Sequence, residues 1–377
     1  MRKKSLLSMV LVFGLGLSML SGCGSAAKAT TATSAAATTA AAAVTTAAAA
    51  DTTAAAGKKF KIGFALKTQD SPYFVALAES IDKLCKAEGW EITVLDANGD
   101  TAKEAQNMET FVSQGMDIIF LDSVDPESCI PSINAATAAG IGVINLDSGV
   151  GEGANYITTV YSDNKQNGRA VGLAYAEKMG TTPIKAILLS GAKGNIAGDE
   201  RRTGLFCGII EKRAGISEAD AWIAANKFDD ELLANGKATN ADANFTVVGQ
   251  GWGGWTAEEG LTAAEDLITA NPSITTVLGE NDQMLFGAMT ALTNANITGV
   301  DIVAAADGAK AAYDLIKKGT YFATGENSPY KISELGMKIA KEVLVDGKDP
   351  KGYAKVTMTA AAAVTKANVD QYYQYGF

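Results

Sequence analysis

The chain has 377 residues, 47% of them hydrophobic, enough for one or two domains with real cores. It contains no histidine, which excludes Ser-His-Asp and Cys-His hydrolases and His-ligated zinc. A formal net charge of −10 speaks against a nucleic-acid partner.

Residues 1–22 open with the cationic MRKKS and continue in an apolar core too short for a comfortable membrane span. Leu20-Ser21-Gly22-Cys23 then resembles a bacterial lipoprotein signal, which implies cleavage before Cys23 and lipidation of its thiol. Residues 23–57, the cysteine and an Ala/Thr-rich stretch without apolar periodicity, read as a flexible tether. The remaining Cys85, Cys129 and Cys207 are odd in number and sit among apolar neighbours in helix-like segments, so buried free thiols are expected and a metal site is not.

From Lys58 the texture changes to a βα alternation. KFKIGFAL is a buried strand. Ser71-Pro72 is an N-cap with proline at N1, opening a helix that ends at Gly89. EITVLDANG, DIIFLDS and IGVINLDS read as strands, separated by the helical TAKEAQNMETFVSQG and DPESCIPSINAATAAG. Asp125, followed by Pro126, is a helix cap. After Ser162 come a helix over 164–179, strand IKAILLSG, a helix from near Asp199, strand 245–250 and helix 256–270. Strand SITTVLGE, helix 282–295, strand DIVAAAD, helix 308–318 and YFATGEN complete the pattern. Residues 214–243 interrupt it with an acidic, weakly patterned stretch. Ile/Val-rich strands with short connections predict two doubly wound α/β lobes of similar size, each a parallel sheet covered by helices on both faces.

In open α/β sheets ligands bind beyond the carboxyl ends of the strands. Those positions hold Lys67, Asp70, Tyr73, Phe74, Asp122, Asp147 and Ser148 in the first lobe. In the second they hold Arg202, Trp252, Trp255, Glu280 to Asp282, Asp307 and Asn327. A hydroxyl-rich ligand suits such a set, because carboxylates accept, amides do both, and flat aromatics cover a sugar's apolar face. An Asp after a strand is also a common N-cap, a reading open for Asp70 and Asp307 but not for Asp147, which no helix follows directly. Arg202 has a competing reading as an ion-pair partner of Asp199 or Glu200.

KTQDSPYF, NLDS, SDN, ERRTGLF, ENDQMLFGA and AADG, in this order over residues 59–360, resemble the periplasmic sugar-binding proteins of ABC importers, of the ribose and galactose/glucose type. The resemblance implies a type I periplasmic binding protein fold, with two lobes joined by a three-crossover hinge near 162, 327 and 360. The lobes would then comprise 58–161 with 328–359, and 162–327 with 360–377. It also implies a binding role for Tyr73 and Phe74 as aromatic partners of the sugar, with Trp255 as the second-lobe stacking residue. Asp122, Asp147, Arg202, Asn281, Asp307 and Asn327 become the polar ligands, with Lys67, Asp70 and Ser148 beside them. Ser148 stands where ribose binders have Arg, and the calcium loop and histidine of the galactose/glucose type have no counterpart. The expected protein is a non-enzymatic, monomeric solute-binding lipoprotein outside the cytoplasm. It needs no cofactor or metal and passes a monosaccharide to an ABC permease. A nucleoside or a polyol such as inositol is the alternative ligand, a sensor for a membrane receptor the alternative role, and a two-carboxylate glycosidase the competing class.

Overall fold

The computed structural model describes residues 59–377. The signal, Cys23 and the tether lie outside the described residues. The first sheet is built from β1 (Lys61–Leu66), β2 (Glu91–Asp96), β3 (Ile118–Leu121), β4 (Gly142–Leu146) and β5 (Thr158–Ser162). Between them run helices α1 (Pro72–Ala87), α2 (Thr101–Gln114) and α3 (Ile130–Ala138). The chain then crosses to a second lobe through α4 (Asn164–Met179), β6 (Ile184–Ser190), α5 (Ile196–Ala214), α6 (Glu218–Asn235), β7 (Ala238–Asn240) and β8 (Phe245–Trp252). It continues through α7 (Ala257–Ala270), β9 (Thr276–Gly279), α8 (Asp282–Asn294), β10 (Asp301–Ala304), α9 (Lys310–Lys318) and β11 (Ala323–Gly325). It returns to the first lobe for α10 (Pro329–Leu344) and β12 (Val356–Thr359), then ends in the second with β13 (Ala363–Thr365) and α11 (Val369–Tyr372).

Strand order is β12-β5-β4-β3-β1-β2 in the first sheet, parallel throughout, and β13-β11-β10-β9-β6-β8-β7 in the second. The edge strands β7 and β13 pair antiparallel, so the second sheet is mixed where the sequence suggested a parallel one. Three segments pass between the sheets: after Ser162, after Gly325 and after Thr359.

The period of two along each strand splits the cores. In β1, Ile62, Phe64 and Leu66 pack with Leu77 and Ile332 under α1 and α10, while Ala65 packs with Phe111 and Ile133 under α2 and α3. In β6, Ala186 and Leu188 join Leu205 and Phe228, while Ile187 and Leu189 join Leu285 and Tyr313. The first helix forms where its cap predicts it: Ser71 accepts from the Tyr73 amide, with Pro72 at N1. Asp125 caps a turn, accepting from Glu127 and Ser128 N, and regular helix begins only at Ile130. Cys85, Cys129 and Cys207 are free and buried.

Residues 214–243 depart from the sequence reading. They contain α6, which Ser217 caps by accepting from Asp220 N and which buries Ala221, Ala225, Phe228 and Leu232 against β8 and α5. The acidic character that hid it belongs to its outer face and to Asp229, which is buried against the Arg202 guanidinium. Helices α4 and α5 meet through Gly168, Gly172, Gly204 and Gly208. A Cβ at any of these would overlap a backbone carbonyl of the opposite helix, so only glycine permits this approach. That contact fixes where the first turns of both helices present their side chains.

Candidate functional site

The carboxyl ends of the first sheet's central strands carry three linked groups. Tyr73, in the first turn of α1, donates its hydroxyl to Asp147 Oδ1 at 2.6 Å and lies 3.4 Å from Asn327 Oδ1. Phe74 and Phe377 meet the Tyr73 ring edge-on, at 5.4 and 5.3 Å between centroids, and hold it in place. Burial, then Asp147, pushes the Tyr73 hydroxyl well above its usual range, so it stays a donor. Asp147 sits at φ 61°, a left-handed conformation that Asp tolerates better than most non-glycine residues.

Asp122 follows β3 and is fully buried. Ser148 donates to its Oδ1 at 2.6 Å, while Oδ2 has no protein partner. Burial and the neighbouring Asp147 push this carboxyl up to about 8, against the opposing charge of Lys67. The shift favours the protonated form of Asp122, which can donate as well as accept. Lys67 itself is half-buried beside the Phe74 ring, 6.0 Å from its centroid.

The second lobe contributes a buried pair, Arg201 and Asp307, joined at 2.9 Å. Arg201 Nε also donates to Asn164 Oδ1 at 2.9 Å, and its guanidinium lies 5.7 Å from the centre of the Trp255 ring. Burial works against the Arg201 charge, but Asp307 and Asp147 more than restore it and hold the guanidinium charged. Asn327 N donates to the Asp307 carbonyl at 2.9 Å, which joins the two polar groups. Tyr161 adds a direct link across the lobes, donating to Glu200 Oε2 at 3.2 Å.

Trp255 precedes α7 at φ 66°, a rare conformation for a large side chain. Its indole lies on Gly191, where a Cβ would overlap the ring, and Asn281 donates to its carbonyl at 3.1 Å. Asn281 is also the N-cap of α8, accepting from Met284 N. Its Nδ2 thus places Trp255 while its Oδ1 caps α8. Trp252 closes β8 and is half-buried, with Lys193 Nζ 5.5 Å from its ring centre.

Arg202 requires a correction. Its guanidinium is 1% exposed and engages Asp229 through Nε at 2.5 Å and Nη2 at 2.9 Å, Glu280 through Nη1 at 2.7 Å and Asp199 through Nη2 at 2.8 Å. Four of its five N–H donors are spent inside the second lobe, so it is built into that lobe and not aimed at a ligand. Burial opposes its charge, and Asp229 and Glu280 override that and hold it protonated. Arg201, one residue earlier, is the arginine that meets Asp307. The Arg202 ion pair with Asp199 forms with a half-exposed carboxylate, while those with Asp229 and Glu280 are buried. Asp70 also falls outside the polar set; it is exposed in the loop before Ser71. Asp282 is buried, accepting from Gly308 N, Ala309 N and the Tyr321 hydroxyl, and so braces the loop carrying Asp307. Sequence reasoning missed Arg201, Asn164 and Tyr161. The available signal was the doubled Arg201-Arg202, which a helix sends in two directions about 100° apart.

Residues 62–349 match the periplasmic binding protein domain family. The ribose import binding protein of Bacillus subtilis is 28% identical over 288 residues, 76% of this chain and 82% of that protein. The ribose import binding protein of Haemophilus influenzae is 31% identical over 287 residues, 75% of this chain and 85% of that protein. The crystal structure of an ABC transporter solute binding protein from Mycobacterium smegmatis with bound glycerol is 29% identical and superposes with a TM-score of 0.66, covering 85% of this chain and 98% of that one. This chain belongs to the periplasmic binding protein family. It is an extracytoplasmic solute-binding component of the ABC-importer type and not an enzyme.

Proposed function

We propose that this protein captures a monosaccharide between its lobes and delivers it to an ABC permease, working as a monomer anchored to the cell membrane through a lipid on Cys23. The observation that carries the reading is the Tyr73–Asp147–Asn327 group joined through Asn327 N, which donates to the Asp307 carbonyl, to the Arg201–Asp307 pair beside the Trp255 indole. Neutral hydroxyls satisfy such a mixed set of acceptors and donors, and the indole covers an apolar C–H face. Charge-assisted hydrogen bonds at about 1.5–3 kcal/mol each, less ordering costs, support micromolar binding at about −8 kcal/mol.

The lobes comprise 58–161 with 328–359 and 162–327 with 360–377, and they close on the sugar by rotation at the three crossovers. Lys67, Phe74, Asp122, Ser148 and Asn281 complete the pocket around the ligand. A polyol is the second reading, favoured by the glycerol bound to the Mycobacterium smegmatis relative. A thermal-shift panel of pentoses, hexoses, polyols, nucleosides and amino acids tests both. Ligand at 100 times Kd adds about 2.7 kcal/mol and raises Tm by several degrees. A response confined to nucleosides or amino acids, or none, overturns the proposal.

A further inference from the structure

The three segments that pass between the lobes converge on one fully buried side chain, Asn167, in the first turns of α4. Its Nδ2 donates to Ser162 Oγ at 3.0 Å, in the first crossover, and to the Glu326 carbonyl at 2.6 Å, in the second. Its Oδ1 accepts from the Ala362 amide at 2.9 Å, in the third. Two further bonds close the knot. Ser162 Oγ donates to the Glu326 carbonyl at 3.3 Å, and Glu326 N donates to the Ala362 carbonyl at 2.9 Å. Gly325 leaves room for it, since a Cβ there would lie 3.1 Å from Asn167 Cβ and overlap the Ala305 carbonyl. An amide offers two donors and an acceptor at this spacing; aspartate would lose both donors and set a carboxylate oxygen against the Glu326 carbonyl.

We infer that Asn167 is the positioning residue that makes the three crossovers bend as one hinge. It fixes the second and third crossovers where they leave the second lobe, and the first where it leaves β5 of the first lobe. Rotation is thereby confined to the few residues on the first-lobe side of those points, Asn327–Ser328 and the stretch from Thr359 to Ala361, with the Ser162 anchor as the pivot of the first crossover. Without the amide the crossovers flex independently, and the lobes explore a wider range of openings. The inference rests on the reading of a protein whose lobes open and close, but it concerns the hinge and not the ligand.

The test measures interlobe distance in the ligand-free protein. Spin labels at Glu109→Cys on α2 and Glu265→Cys on α7, both exposed positions, report it by pulsed electron resonance. Asn167→Asp and Asn167→Ala are expected to broaden the distance distribution about twofold and to speed hydrogen exchange of the Ala362 amide by about tenfold or more, with Ser162→Ala intermediate. A folded Asn167 variant that loses Tm yet keeps the parental distribution width overturns the inference, because a purely structural role predicts that result. Should neither Asn167 variant fold, the unsubstituted protein decides: its Ala362 amide must exchange as slowly as those of β11, and exchange as fast as in an exposed loop overturns the inference. Failure of any sugar to bind leaves both measurements intact, so the two readings fail separately.

Discussion

Replacing Asp122 with Asn removes a buried proton-binding site without changing the side chain's shape. In the folded protein, burial first and Asp147 second raise this carboxyl to about 8; in the unfolded chain it titrates near 3.9. Below about pH 4 both states are protonated and the site costs nothing. Between about pH 4 and 8 the unfolded chain has released the proton while the folded chain retains it. Stability then falls with rising pH, by about 1.4 kcal/mol per unit. The accumulated cost is on the order of 4 kcal/mol at pH 7 and levels off above pH 8. Asparagine has no such term, and its oxygen can still accept from Ser148. The Tm of Asp122→Asn minus that of the parent, read by calorimetry without ligand, should therefore climb from pH 5 to pH 8, reaching on the order of 10 °C at pH 7, and then flatten. Any pH-independent packing difference shifts the whole curve, so the slope carries the information. A difference that is constant from pH 5 to 8 would refute the assignment of a proton to Asp122.

The two adjacent arginines should separate cleanly. Arg202→Ala strands Asp229 and Glu280 in the interior and should cost about 3–5 kcal/mol in denaturant unfolding, whereas Arg201→Met should retain a folded second lobe and weaken sugar binding at least tenfold by titration calorimetry; equal Tm losses in both would show the distinction is wrong. Gly191→Ala places a methyl group in the Trp255 ring, so affinity should fall about tenfold and the indole fluorescence should shift, and unchanged binding would place the ligand away from that face. Gly208→Ala drives α4 from α5 and should destabilise the protein by about 3 kcal/mol, measured by urea unfolding, while leaving the first lobe's transition in place.

Much of the site was legible because it rests on local rules. The alternation of buried strands with capped helices is written in periods of 2 and 3.6, and strand ends are where such folds place ligands. Tyr73, Asp122, Asp147, Asp307, Asn327 and Trp255 are singled out that way, by position along the chain and by the family's motifs. Two of them, Asp147 and Trp255, sit at positive φ, a conformation Asp tolerates but no turn rule predicts for Trp.

What the sequence determined by itself was the βα order, the caps, the buried cysteines and the ring of polar residues beyond the strands, because each depends on neighbours within a few positions. Tertiary structure decided what depends on distant partners. Arg201 and Arg202 are equivalent by composition, and only the rotation of α5, set by its glycine contact with α4 and by Asp229 on α6, aims one at Asp307 and buries the other among acids. The segment 214–243 looked unpatterned because Asp229, polar by any scale, sits on the buried face of its helix to meet that arginine. Asn167 has no local signature at all. Its three partners lie at residues 162, 326 and 362, and only the folded hinge brings them to one amide.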